Sequence, residues 1–176
     1  FADRHTAWWF LAGFAEVLDP GVRGNEIAPQ VNALAIPWLR ANAATDNWFC
    51  HINYWDPHRP YRTPAQYGNP FETEPGPDWL THKIIDEQRQ RFGPRSAREP
   101  QGFAKDHRWG REPQEIRDPA DFKRWIDGYD TGIRYMDDHI GQVLAVLEEQ
   151  GVLDETIIIF SGDHGEQQGE LNVYGD

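Results

Sequence analysis

The sequence predicts an α/β protein on three observations. Residues 157–160, I-I-I-F, are four β-favouring apolar residues closed by the polar turn S-G-D-H-G-E, too short a run for a helix and bounded as a buried strand is. Residues 48–54, W-F-C-H-I-N-Y, form a second aromatic, β-prone run, which ends in the turn W-D-P-H-R-P-Y. In the last third, Phe122, Trp125, Ile126, Tyr129, Ile133, Met136, Ile140, Val143, Leu144 and Leu147 fall on one stripe at helical spacing that leads into the first of these strands, which suits a helix packed on a sheet.

Taken in chain order, residues 3–18 are rich in Trp, Phe, Ala and Leu, and Trp8, Leu11 and Leu18 fall at helical spacing. They are expected to form a helix or helical turn, with Trp8 and Trp9 in the core in preference to a sugar-stacking role. Asp19, Pro20, Gly21 and Gly24 make a turn. Ile27, Val31, Leu34 and Trp38 then predict a helix over about residues 26–43, kinked at Pro37. The following strand is expected to bury His51 as a core histidine and Cys50 as a small hydrophobe. Beyond it, Pro57 and Pro60 stiffen the turn that carries His58, a position suited to binding an oxyanion or passing a proton.

Residues 62–118 hold Pro, Gly and charge with little periodicity, and are expected to be a long loop or insertion. The basic residues between 83 and 111 read as scattered charge on a solvated loop in preference to an anion-binding surface. Pro119 and Asp121 start the long helix and Gly151 stops it after Gln150. Asp137, Asp138 and His139 lie between the core positions Met136 and Ile140, so they are expected to face solvent or pack the helix, not to ligate a metal.

With 17 Lys and Arg against 29 Asp and Glu, the formal charge of −12 argues against nucleic acid or an anionic membrane as the partner. No apolar run is long enough to span a bilayer, and no signal-peptide pattern is present. The chain begins at Phe1, so its true start is expected to lie upstream. At the end of the last predicted strand, the glycines flanking Asp163 and His164 let the backbone turn so that both side chains face one cation. A carboxylate with an imidazole is a reasonable pair of ligands for a divalent metal. An ordinary Asp-His-Gly turn is the equal alternative.

The order of these parts resembles the sulfatase family. Residues 129–166, Y-D-T-G-I-R-Y-M-D-D-H-I-G-Q-V-L-A-V-L-E-E-Q-G-V-L-D-E-T-I-I-I-F-S-G-D-H-G-E, resemble the sulfatase segment in which a long helix leads into a central strand ending in the metal-binding pair. Residues 51–61, H-I-N-Y-W-D-P-H-R-P-Y, resemble the strand and loop that set an active-site histidine beside the sulfate.

The resemblance implies a layered α/β/α fold with a largely parallel central sheet. Residues 1–176 would be part of a catalytic domain of the alkaline-phosphatase superfamily, with the insertion at about 62–118. It implies hydrolysis of a sulfuric ester on a sulfated small molecule or carbohydrate. Asp163 and His164 would bind a divalent cation, usually Ca2+, with Mn2+ or Mg2+ admitted. His58 would hydrogen-bond the sulfate or protonate the departing alcohol oxygen, and Arg59 would be a further contact for the same anion.

Sulfatases convert a Cys or Ser in a Cys-x-Pro-x-Arg type motif to formylglycine, but Cys50 is followed by His51, Ile52, Asn53 and Tyr54. The nucleophile region, part of the metal shell and a C-terminal region are therefore expected outside this chain, and the chain by itself is expected to be inactive. An exposed sheet edge would favour a homodimer. A metal-dependent phosphodiesterase or phosphonate hydrolase of the same superfamily is the alternative among enzymes. A non-catalytic anion-binding homologue is the alternative outside them. Many relatives are exported, and nothing in the sequence specifies a compartment.

Overall fold

The computed structural model describes residues 9, 11–101 and 109–175. The chain divides into two compact units, one made of Phe1–Asp56 with Tyr135–Ile159 and the other of Pro57–Arg134 with Phe160–Asp176.

In the first unit, helix α1 (Ala28–Asn42) forms close to its expected bounds and contains Pro37. Pro29 sits in the first turn, where a missing N–H costs nothing. Gln30 reaches back to accept from the Ile27 amide at 3.0 Å, and the buried Asp56 carboxylate accepts from the Ala28 amide at 2.9 Å. These bonds satisfy donors that a helix start leaves open. Leu39 and Ala43, at the end of this helix, pack with Val143, Val146 and Leu147 from the second half of helix α3 (Pro119–Glu149). Each Leu and Val of this set contributes about 1.5–3 kcal/mol on burial. Buried Asn32 joins the parts. It donates to the His139 carbonyl at 2.8 Å and to Gln142 at 3.2 Å, and its oxygen accepts from the Tyr54 hydroxyl at 2.5 Å.

Helix α3 follows its prediction to within a residue because both ends are locally encoded. At the start, Asp118 Oδ1 accepts from the amides of Ala120 and Asp121, both at 2.9 Å. At the end, Gly151 takes φ +70°, its amide donates to the Glu148 carbonyl, and the Val152 amide donates to that of Leu147. That pair of bonds is a Schellman stop. Asp137 and Asp138 are exposed, as expected, while His139 is half-buried and bonded through Nδ1 to the Tyr135 carbonyl at 2.8 Å.

Three expectations are corrected. Residues 11–18 follow the helical-turn half of the expectation, with the Ala12 and Phe14 amides donating to the Trp9 and Leu11 carbonyls, but Trp9 is exposed and not in the core; Trp8 lies outside the described residues. Among the described residues, neither 48–54 nor 157–160 pairs as a strand. Along 48–54, Trp48, Cys50, Ile52 and Tyr54 are partly buried while Phe49, His51 and Asn53 are exposed, the alternation of an extended segment. His51 is therefore outside the core, stacked at 6.4 Å on Phe14. Cys50 packs against the Leu39 cluster, and partial burial pushes its thiol pKa up. Ile157 and Ile159 are 89% and 81% exposed. The reason is common to both segments: a ladder needs a second backbone, and none of the described residues supplies it. The β-structure among those residues is one antiparallel pair, β1 (Gln167–Gln168) with β2 (Tyr174–Gly175).

In the second unit, residues 62–118 fold more fully than a loop. They include a 3-10 turn at Ala65–Tyr67, helix α2 (His82–Gln88) and the buried Leu80, Ile85, Ala97 and Ile116, which join Tyr61, Phe122, Trp125 and Tyr174 in one core. Thr81 starts α2 by accepting from the Ile84 amide at 3.4 Å. Several basic residues of this segment hold the chain to itself. Arg111 donates to the carbonyls of Thr63, Pro64 and Gly68 at 2.7, 2.7 and 2.9 Å, Arg89 to Ile116 and Glu115, and Arg98 lies 4.2 Å from the Phe92 ring centre. Lys105 and Arg108 lie outside the described residues.

Candidate active site

All four side chains expected at the site, His58, Arg59, Asp163 and His164, belong to the second unit. The His58 turn is closed by the Tyr61 amide donating to the His58 carbonyl at 3.1 Å, and the Arg59–Pro60 peptide is cis. His58 Nδ1 donates to the Arg59 carbonyl at 2.6 Å. A carbonyl has no proton to give, so Nδ1 carries the hydrogen and, in the neutral ring, Nε2 carries the lone pair. His164 is arranged alike, with Nδ1 donating to the Gly165 carbonyl at 2.9 Å. The two imidazoles come together with ring centres 6.1 Å apart and planes at 66°.

Asp163 is 90% exposed, its Oδ1 accepting from the His164 amide at 3.0 Å and its Oδ2 standing 3.9 Å from His164 Nε2. Two ligands of one cation, each about 2.0–2.6 Å from it, lie about 3–4 Å apart, so this pair fits part of a metal shell. Among the described residues, no group of three or more His, Cys, Asp or Glu is arranged to complete one.

Arg59, expected as an anion contact, is turned inward. Its Nε donates to Glu112 Oε1 at 2.9 Å, both side chains are almost wholly buried, and its guanidinium carbon lies 5.2 Å from the Trp125 ring centre. A Cβ at Gly175, φ +87°, would come within 2.7 Å of Arg59 Cδ, so glycine there makes room for this side chain. Sequence reasoning gave Glu166 no role, and the structure supplies contacts for it. One carboxylate oxygen accepts from the Arg59 amide at 3.0 Å and the other from the Tyr61 hydroxyl at 2.9 Å. Tyr61 and Glu112 were also missed. The sequence signals were slight: a carboxylate just after the Asp-His pair, and a tyrosine closing the proline-stiffened turn.

The family model described as Sulfatase matches residues 22–176, and this chain belongs to the sulfatase family, hydrolases that act on sulfated substrates. It is 28% identical to the multifunctional alkaline phosphatase superfamily protein PehA of Trinickia caryophylli, over 73% of this chain and 25% of that protein. It is 24% identical to a choline-sulfatase of Rhizobium meliloti (strain 1021), over 95% of this chain and 32% of that one. It is 25% identical to an arylsulfatase of Clostridium perfringens (strain 13 / Type A), over 80% and 26%. The chain thus spans between a quarter and a third of the length of these relatives. No solved structure matches it to the same standard. Family membership carries with it an α/β fold of the alkaline-phosphatase kind. No helix among the described residues is long and apolar enough to cross a membrane.

Proposed function

We propose that this chain carries part of the active site of a sulfuric ester hydrolase. The observation that carries the reading is the meeting of the His58 and His164 rings, 6.1 Å apart, from loops more than a hundred residues apart in a sulfatase-family chain. Asp163 and His164 hold a divalent cation, Ca2+ in first place and Mn2+ or Mg2+ behind it. When bound, such a cation offsets charge on the ester's oxygens.

His58 works beside it. With Nδ1 committed to the Arg59 carbonyl, proton transfer at this ring belongs to Nε2, which hydrogen-bonds the sulfate or protonates the departing alcohol oxygen. Arg59 is assigned to holding the loop, since Glu112 engages its guanidinium. The formylglycine nucleophile falls outside the sequence of this chain on this reading, because Cys50 lacks the proline and arginine that the motif needs. Residues 48–54 and 157–160 are read as strands of a largely parallel central sheet whose remaining strands are also outside it. The substrate is a sulfated small molecule or carbohydrate.

A second reading, hydrolysis of a phosphodiester or phosphonate ester, is favoured by two observations. One is the 28% identity to a protein named as a multifunctional member of the alkaline phosphatase superfamily. The other is the imidazole donor of His164, which suits a transition metal better than calcium.

The test uses the full-length protein, stripped of metal and reloaded with Ca2+ or Mn2+, on 4-nitrophenyl sulfate and bis(4-nitrophenyl) phosphate. Metal-dependent sulfate release, with metal binding lost in Asp163→Ala by calorimetry, is the expected result. Faster cleavage of the phosphodiester favours the second reading. Cleavage of neither by metal-loaded protein overturns both and leaves a non-catalytic anion-binding protein.

A further inference from the structure

We propose that Glu166 is a positioning residue, whose carboxylate ties the His58 loop to the Asp163–His164 loop and so sets the spacing of the two imidazoles. The inference rests on the hydrolase reading above for its consequence in turnover, but its geometry stands apart from it.

The carboxylate bridges two loops far apart in sequence. Glu166 lies two residues after His164, and it accepts at one oxygen from the amide of Arg59, the residue after His58, at 3.0 Å. Its other oxygen accepts from the Tyr61 hydroxyl, on the far side of the same turn, at 2.9 Å. Two acceptors on two donors fix both distance and angle, which one bond cannot do.

The Tyr61 donor is itself held in place. Its side chain is fully buried, edge-on to Trp125 at 5.5 Å between ring centres, and a Cβ at Gly128 would lie 2.7 Å from Tyr61 Cδ2. Its backbone has φ +49°, a conformation a non-glycine residue keeps only when its surroundings over-determine it. Burial, with the neighbouring Glu166 charge next, pushes the phenol well above its ordinary range, so it remains a donor at neutral pH. The Glu112 contact to the Arg59 side chain at 2.9 Å is a further anchor of the same turn.

Glu166→Gln is the informative change, because it keeps size and shape but turns one of the two acceptors into a donor. In the full-length, metal-loaded protein, kcat on whichever aryl ester the wild type cleaves is expected to fall about 10- to 100-fold, the cost of slightly misplaced groups. KM and calorimetric metal affinity are expected to stay within about twofold of wild type, since no ligand is removed. Tyr61→Phe, which deletes only the phenolic oxygen, is expected to lower kcat in the same sense. The double variant is expected to be no worse than Glu166→Gln, as two ends of one tie require.

The 15N signals of the His58 ring provide a readout that does not need turnover, and they are expected to shift in both single variants. Retained kcat with unmoved His58 signals in Glu166→Gln overturns the proposal, as do effects that multiply in the double variant. If Glu166→Gln does not fold, Tyr61→Phe decides by the same two readouts. If the wild type cleaves neither ester, the hydrolase reading fails, and the tie is judged on the histidine signals alone.

Discussion

Removing the Glu112 carboxylate would leave a cation buried without its counter-charge. In the native protein Arg59 Nε donates to Glu112 Oε1 at 2.9 Å, with the two side chains 7% and 2% exposed. The attraction within such a pair is largely offset by the cost of taking both charges out of water, so the intact pair adds little net stability. Glu112→Ala differs, because the guanidinium stays inside without the carboxylate that its Nε meets, and the Trp125 ring, 5.2 Å away, is a weaker support for its charge. A cation–π contact supplies about 0.5–2 kcal/mol, whereas breaking a buried pair by removing one partner costs about 3–5 kcal/mol. The second figure wins.

A loss of that size is a large part of the roughly 5–15 kcal/mol that holds a domain folded. At about 2–4 °C per kcal/mol for a chain of this length, Tm should fall by about 6–20 °C. Urea and thermal unfolding followed by circular dichroism measure it. The companion Arg59→Met with Glu112→Leu removes both charges and should recover most of the loss. A Glu112→Ala protein within about 1 kcal/mol of wild type would refute the argument. A double variant as unstable as the single would refute it too.

Gly128→Ala should destabilise by about 1–3 kcal/mol, read from the urea midpoint, since its Cβ would meet Tyr61 Cδ2 at 2.7 Å and the Arg111 carbonyl at 3.2 Å. Asp130→Asn should stabilise the protein at pH 7. Burial, with the Asp127 charge next, raises the Asp130 pKa, so its stability contribution is present below the unfolded value of about 3.9 and lost as pH rises through the folded one. The advantage of Asn should therefore shrink as unfolding is measured at falling pH, and an advantage that grew instead would reverse the sign of the argument.

The elements legible in the sequence are those whose bonds are local. A helix closes its hydrogen bonds four residues away, so the apolar spacing and the end signals suffice. The reading of residues 26–43 became Ala28–Asn42, and the long helix stopped within a residue of its predicted end because Gly151 supplies a positive φ. The turn carrying His58 was legible for the same reason, since Pro57 and Pro60 constrain only their neighbours.

A strand is a relation between two segments, and the β preference of residues 48–54 and 157–160 says nothing of whether a partner lies alongside. Composition likewise marked Arg59 and Arg111 as cations but not where each would be spent. That depended on Glu112 and on the carbonyls of Thr63, Pro64 and Gly68, all brought near by packing. Glu166 is the clearest case. In the sequence it is one more carboxylate after the Asp-His pair, and only the folded chain sets it against the Arg59 amide and the Tyr61 hydroxyl, because a contact across more than a hundred residues leaves no periodic trace.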